Sequence, residues 1–457
     1  MYLLYSFLFS IWVIAMIPYF LYNAVRHKKY LPSIKQRLGN LPDSLKFDGR
    51  PTIWIHACSV GETLSVQPLA KLMHERFPEA RFVFSAITKT GYAIANERFA
   101  IYGEGNAFYF PIDLASIASR VLDWIQPSLF ITIDTEIWPN VLRQAKLRGI
   151  PVVMVNGRIS AASFKWYIKV QPLLGQVFDN YAALLMKAQE DAERVQRLGA
   201  PPSRISVIGN IKYDRGASEA KVVEEKTRAI DEAFGITKFG TPIIVAGSTH
   251  DDEEKTLLDV FRRVRADERF TNARLMIVPR HPERFAAVAT LVEKEGFIVQ
   301  RRSENKPADP NAQVLILDTL GELGTAYQFG DVVFVGGTLI PHGGQSIMEP
   351  AAWSRAIVIG PSMKNFPGII DDFNARGAVA QISATETDKE LQKDQLTAEI
   401  LRLLADAPLR ESMGRAALSI FEESQGATQR AVDKIEEIYR KATFPVGGVA
   451  QQTVRYE

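Results

Sequence analysis

Residues 52–62 read TIWIHACSVGE, a β-branched and aromatic run that ends in a glycine turn and passes directly into the amphipathic stretch TLSVQPLAKLMHERF at 63–77. A strand of that composition followed by a helix-period pattern is one half of a parallel βαβ unit. The alternation recurs in two series. The first holds TIWIHA (52–57), RFVFSAI (81–87), LFITI (129–133), PVVMVN (151–156), AALLM (182–186) and ISVIG (205–209). The second holds PIIVAG (242–247), RLMIVP (274–279), VLILD (314–318), VVFVGG (332–337) and AIVIG (356–360). Between them lies the polar, helix-prone SEAKVVEEKTRAIDEAF, flanked by Gly216 and Gly235, which places a boundary near residue 220. Two open α/β sheets facing one another follow. Beyond about residue 385 the chain reads as helical, and ATQRAVDKIEEIYRKA (427–442) is expected to pack back across the first domain.

Composition narrows the function. The 457 residues carry 54 Lys plus Arg against 52 Asp plus Glu, a net charge of +2, with 47% apolar residues. That balance lacks the basic excess of a phosphate-tracking nucleic-acid binder, so no nucleic-acid partner is expected. Cys58 stands alone, which excludes an intramolecular disulfide. With six histidines and neither H-E-x-x-H nor G-x-x-x-x-G-K-[ST], the linear pattern points to no metal site and no P-loop.

One end is strongly biased. No charged residue occurs from Met1 to Val25, a length that at ~1.5 Å per residue covers ~30 Å of hydrocarbon. Arg26, His27, Lys28 and Lys29 follow, and basic flanks favour the cytoplasmic side. A cleavable signal peptide fits poorly, since no basic residue follows Met1 and no small-x-small site precedes Arg26. A buried core helix would have to be wrapped by protein on every side. The expectation is a transmembrane anchor over 1–25, an N-terminal domain over 26–220, a C-terminal domain over 221–425 and a returning helix and tail over 426–457.

Ligands of open parallel sheets gather at the carboxyl ends of the strands, so the turns there carry the candidate chemistry. Glu62 opens the helix after the first strand, with Gly61 expected to permit close backbone approach. Spacing leaves two readings of Glu62: a carboxylate that accepts a proton from an incoming hydroxyl, or one that complements the helix dipole by ~0.3–1 kcal/mol. Cys58 shares the turn and reads as a small apolar filler, because no base or orienter is placed beside it. Glu136, in Thr135-Glu136-Ile137-Trp138-Pro139-Asn140, also stands at a strand end beside a helix start. Lys212 follows the strand ISVIG and suits an anionic donor, or simply solvent.

The second series supplies anion-binding elements. Ser248 or Thr249 is suited to cap the acidic-start helix DDEEKTLLDVF. Pro279-Arg280-His281-Pro282-Glu283-Arg284 crowds cations at a strand end, where arginine favours bidentate phosphate recognition. Pro341-His342-Gly343-Gly344-Gln345-Ser346-Ile347-Met348-Glu349 is a glycine-rich turn leading to a glutamate placed to accept from ribose hydroxyls.

Taken in order, HACSVGE, TEIWPN, NGRIS, GNIKYD, AGSTH, VPRHPER, LGEL and FVGGTLIPHGGQSIMEP resemble the Kdo transferases, the 3-deoxy-D-manno-octulosonate transferases of lipopolysaccharide assembly. The resemblance runs from the N-terminal anchor to about residue 430. It implies a GT-B glycosyltransferase, two Rossmann-like domains around a central cleft, inverting and metal-independent, with no cofactor. The implied donor is CMP-Kdo and the implied acceptor a lipid IVA-type lipid A precursor at the inner leaflet of the cytoplasmic (inner) membrane. Carried onto this chain, the general base falls on Glu62 and the transition-state stabilisers on Glu136 and Lys212. The CMP contacts fall on Pro279 and Arg280, on Leu320, Gly321 and Glu322, and on Ser346, Ile347, Met348 and Glu349. Family members usually carry His-Asn-Pro-Leu-Glu where this chain has Gln345-Ser346-Ile347-Met348-Glu349, and Gly-Pro-His where it has Gly360-Pro361-Ser362; Glu349 and Asn365 are in place. A UDP-sugar transferase of the same fold and a membrane-anchored lipid-binding scaffold are the alternative readings.

Overall fold

The computed structural model describes residues 2–27, 33–214 and 219–443. These form two units, one drawn from Met1–Asp214 and Gln425–Glu457, the other from Arg215–Ser424.

The first unit is built on a seven-stranded parallel sheet: β1 (Thr52–His56), β2 (Arg81–Ala86), β3 (Ala107–Tyr109), β4 (Leu129–Ile133), β5 (Val152–Gly157), β6 (Ala183–Met186) and β7 (Ile205–Val207), in the order β3-β2-β1-β4-β5-β6-β7. β1 and β4 are buried along their whole length because helices cover both faces, which is why they read as unbroken apolar runs. Side chains alternate across the sheet. Ile53 and Ile55 enter one core layer with Phe82, Phe84, Leu129 and Ile131. Trp54 enters the other, stacked on Phe130 at 4.1 Å. His56, two residues on, shares Trp54's face.

The stretch after β1 is two helices, Val60–Ser65 and Gln67–Arg76, divided where Pro68 must sit in a first turn. The C-terminal helix Ala427–Thr443 returns to this unit, placing Ala427, Ala431, Val432, Ile435 and Tyr439 in the layer that holds Ile53. At the other end of the chain, the helix Tyr2–His27 docks through polar side chains. Tyr5 Oη donates to Asp113 Oδ2 at 2.9 Å, and Ser6 Oγ to Asn140 Oδ1 at 3.1 Å. Leu4, Phe7, Leu8, Ile11, Trp12 and Ile14 are left exposed. Among the described residues no helix is long and apolar enough to cross a membrane. The side chains of residues 17–27, and Lys28 and Lys29 entirely, lie outside the described residues.

The second unit repeats the plan with β8 (Ile243–Thr249), β9 (Arg274–Pro279), β10 (Val299–Arg301), β11 (Val314–Ile316), β12 (Val332–Val335), β13 (Ala356–Ile359) and β14 (Ala380–Gln381), in the order β10-β11-β9-β8-β12-β13-β14, all parallel. β3, β10 and β14 are additions to the strands expected from sequence. They have three, three and two residues, too few for a period-2 pattern to emerge.

Candidate active site

In each sheet the strand order reverses direction once, between β1 and β4 in the first and between β8 and β12 in the second. Connections leave such a point on opposite sides and open a crevice beyond the carboxyl ends of the strands. The candidate residues cluster at both points.

In the first unit, Glu62 follows β1 and Glu136 follows β4, so pairing of these two strands brings the turns side by side. Ligand atoms of Cys58, Glu62 and Glu136 all lie within 4.8 Å of one another. The Glu62 carboxylate folds back over its own turn, accepting from the Cys58 backbone N–H at 2.6 Å and from Ser59 Oγ at 2.8 Å. It remains half-buried. Glu136 Oε2 accepts from Trp138 Nε1 at 2.8 Å, and Trp138 packs on Phe110, which stacks on His56. These contacts fix both carboxylates before any ligand arrives.

A Cβ on Gly61 would meet nothing within 4 Å, whereas the tight contact inside the protein at this turn is made by Gly91, whose Cβ would lie 3.3 Å from the Ser59 carbonyl carbon. Cys58, read from the sequence as a small apolar filler rather than a nucleophile, has its side chain beside the two carboxylates. It is half-exposed, and burial together with the charges of Glu136 and Glu62 pushes its thiol up to about 12. A thiol so held is no nucleophile at neutral pH.

Lys212 extends from a short turn after β7 to Asp134 Oδ2 at 2.9 Å, two residues before Glu136. Asp134 takes a positive φ of 58° and accepts from Asn156 Nδ2, while Asn156 Oδ1 accepts from the Ile211 backbone N–H. Asn156, near the end of β5, thereby joins the turns after β4 and β7. Sequence reading passed over Asp134 and Asn156; the motifs TIDTE and VNGR are their only trace. Beside them, Lys187 is held below the ordinary lysine range by burial and by Arg158.

The second unit gathers its loops around a buried carboxylate. Glu253 accepts from the backbone N–H of His250 (3.0 Å), Gly337 (2.7 Å), Thr338 (3.0 Å) and Leu339 (3.0 Å), clasping the turn after β8 to the turn after β12. Burial pushes its carboxyl up despite these bonds. The turns touch so closely that a Cβ on Gly336 would fall 2.2 Å from Ser248 O. Ser248 and Thr249 do not cap the helix that follows: it begins at Glu253, and Thr249 Oγ1 donates instead to Glu254 Oε1 at 2.9 Å.

Pro279 is buried at the end of β9, while the Arg280 side chain is exposed and its backbone N–H donates to Thr249 O. Arg280 and Arg284 lie beside His250, whose ring is 4.2 Å from that of His342 and 5.5 Å from that of His281. Burial first, then these positive neighbours, pulls His250 down to about 4. Arg280 is the exposed cation of this cluster. Arg284 is already paired with Glu254 and Asp251.

Leu320 is 77% exposed, and Gly321 follows it with φ +78°. Glu322 is buried, accepting from Thr319 Oγ1 with Arg302 3.6 Å away. Ile347 and Met348 are buried, Glu349 is exposed, and Ser346 Oγ is buried with no partner among the described residues. Trp353 Nε1 donates to Gly324 O, so the short helix Leu323–Ala326 is joined to the segment that follows the helix Met348–Ala351. Both departures from the family pattern have local partners. Gln345 Nε2 is 3.2 Å from His250 Nε2, and Ser362 Oγ accepts from the Gly343 N–H at 3.1 Å.

Comparison with known proteins bears on this arrangement. Residues 32–215 match the model of a family described as 3-deoxy-D-manno-octulosonic-acid transferase (kdotransferase). A 3-deoxy-D-manno-octulosonic acid transferase of Haemophilus influenzae is 34% identical over 386 residues, 84% of this chain and 86% of that one. One from Bordetella pertussis is 30% identical over 390 residues, 84% and 87% of the two chains. Among solved structures, a UDP-GlcNAc 2-epimerase from Neisseria meningitidis bound to UDP-GlcNAc covers 84% of this chain and all of its own at a TM-score of 0.58 and 10% identity. That likeness shows the fold: two parallel-sheet α/β units of the kind found in GT-B glycosyltransferases.

Proposed function

The chain belongs to the 3-deoxy-D-manno-octulosonic acid transferase family, a glycosyltransferase of lipopolysaccharide synthesis, and from that premise we propose that it moves Kdo from CMP-Kdo to a lipid IVA-type lipid A precursor with inversion. The observation that carries this reading is the juxtaposition of Glu62 and Glu136 at the β1–β4 reversal, both carboxylates pre-oriented and accessible.

In the proposed reaction an acceptor hydroxyl oxygen attacks the anomeric carbon of Kdo. Its proton passes to Glu62, the bond from that carbon to the phosphate oxygen breaks, and CMP departs with the electron pair. Attack opposite the leaving group inverts the centre. Glu136 stabilises the positive charge that develops on the sugar ring, and Lys212, steadied by Asp134, offsets the negative charge of the anionic donor. The phosphate falls to Arg280, in the field of His281, His342 and Arg284, and the nucleotide to Leu320–Glu322 and Ser346–Glu349. Side chains alone supply these roles, and the reaction is proposed to need neither metal nor cofactor.

The acceptor is a lipid, and Tyr2–His27 is proposed to hold the chain at the cytoplasmic membrane with both units in the cytoplasm. The exposed face of Leu4, Phe7, Leu8, Ile11, Trp12 and Ile14 supports attachment. A full span would need residues 17–25 as well, with Arg26 at an anionic inner leaflet.

The test is mass spectrometry of lipid products after incubation of the full chain with CMP-Kdo and lipid IVA. Appearance of Kdo-extended lipid with release of CMP is expected. Turnover of a UDP-sugar instead, or lipid binding with no CMP release, would replace this reading.

A further inference from the structure

Three cations stand at neighbouring strand ends of the first sheet: Arg158 after β5, Lys187 after β6 and Lys212 in the turn after β7. A bulge sets the first two abreast. Val155 pairs with Leu185 but Gly157 with Met186, Asn156 being the extra residue at φ +63°, so the next step brings Arg158 level with Lys187. The Lys187 backbone N–H closes that step on Gly157 O at 2.9 Å. In an unbroken register a glycine would stand beside Lys187 instead.

The acids around this pair are already engaged. Asp134 holds Lys212, and Asp191 accepts from the Ile159 backbone N–H at 2.8 Å with Arg194 3.8 Å away. Lys187 is half-buried, yet no hydrogen bond or ion pair ties its ammonium among the described residues. Arg158 is exposed beside it, and its charge adds to burial in disfavouring the lysine's protonated form. An anion set against both would offset that repulsion. A guanidinium fork with an ammonium alongside matches the oxygens of a phosphate, and the carboxyl end of a parallel sheet is where ligands arrive.

Position decides which substrate carries the phosphate. Along β1-β4-β5-β6 the turn bearing Lys187 lies two strand spacings, about 10 Å, from that bearing Glu136, and three, about 14 Å, from that bearing Glu62. The carboxylate of Kdo is one bond from the anomeric carbon and belongs at the reacting centre. A phosphate on the sugar backbone of a lipid IVA-type acceptor lies several bonds from the reacting hydroxyl and can reach across such a distance. We infer that Arg158 and Lys187 form a phosphate subsite of the first unit that grips the lipid acceptor. The identity of the acceptor rests on the function proposed above; the grip on its phosphate is tested by binding alone.

The experiment compares the full chain in detergent with Arg158→Gln and Lys187→Met, on lipid IVA and on the same lipid stripped of its phosphates. Each substitution is expected to raise KM for lipid IVA at least about tenfold, with kcat changed less than about threefold and CMP-Kdo affinity unchanged in calorimetry. On the stripped lipid, wild type is expected to show the raised KM, and neither substitution to raise it further. Surface plasmon resonance without CMP-Kdo is expected to give the same order of affinities for the two lipids. Wild-type KM for lipid IVA in both variants, an equal loss on the stripped lipid, or weakened CMP-Kdo binding would each overturn the inference. Arg158 is exposed, so Arg158→Gln carries the test should Lys187→Met fail to fold. Wild type that binds lipid IVA but transfers no Kdo counts against the proposed function instead. The resonance series then decides the subsite: a preference for phosphorylated lipid that the variants lose supports it, and a preference that they keep, or none in wild type, overturns it.

Discussion

The hydroxyl of Tyr5 meets the carboxylate of Asp113 at 2.9 Å, and that carboxylate also receives the backbone N–H of Asn140 and of Val141. The first turn of the helix Pro139–Leu147 is therefore capped from a distant loop, and the N-terminal helix is latched to the same cap. Glu136 stands three residues ahead of that turn. Asp113→Ala orphans two buried N–H groups, at about 1–3 kcal/mol each. The expected result is a lowered Tm and reduced kcat, with donor affinity unchanged in calorimetry. A variant with wild-type kcat would separate the cap from the catalytic turn.

Burial pushes the Asp113 carboxyl up from 3.8 to about 6, outweighing the hydrogen bonds from Val141, Asn140 and Tyr5 that pull it down. A carboxyl raised in the folded state binds its proton more tightly there than in the unfolded chain. Its contribution to stability is complete below pH about 3.8 and is lost as pH rises through about 6. Wild type is expected to lose Tm relative to Asp113→Asn between pH about 4 and 7. A pH-independent difference would contradict it.

Glu62→Gln keeps size and removes the proton acceptor. Transfer is expected to fall about 10²- to 10⁴-fold, while CMP-Kdo binds as before. Near-normal turnover by the purified variant would assign the base elsewhere.

Arg280→Ala should act on the donor. Loss of one charge-assisted contact, about 1.5–3 kcal/mol, corresponds to roughly tenfold to hundredfold weaker CMP-Kdo binding in calorimetry. Equal affinity would remove Arg280 from the phosphate site.

Glu253→Ala should damage the second unit most. Four backbone N–H groups lose their acceptor at once, so a loss of more than about 3 kcal/mol is expected in denaturant unfolding. Mild destabilisation would mean that water replaces the carboxylate.

The long central strands were legible because burial on both faces leaves a plain chemical signature: TIWIHA and LFITI contain no charged residue. What the letters of the chain do not carry is the order in which strands pair. Glu62 and Glu136 are separated by more than seventy positions and meet only because β1 pairs with β4. The burial of His56, with Nε2 lacking a hydrogen-bond partner among the described residues, was not legible either, since a histidine in a strand shows its surroundings only when its ring nitrogens are followed. Ser248 and Thr249 misled because a capping residue is recognised by type, whereas Glu253 took over the neighbouring backbone groups from inside the helix. Asp134 and Asn156 escaped notice for a related reason: each matters through positive φ and a bond to another turn.

The chain leaves the first unit at Asp214 and re-enters it at Gln425. Asp214 itself holds the returning segment, accepting from the N–H of Gly426 at 2.8 Å and from that of Thr428. Exit and entry are thus stitched together by one aspartate, and replacement of 215–424 by the equivalent span of a relative is expected to leave the terminal helix, with Ile435 and Tyr439 in the core of the first unit, in its seat.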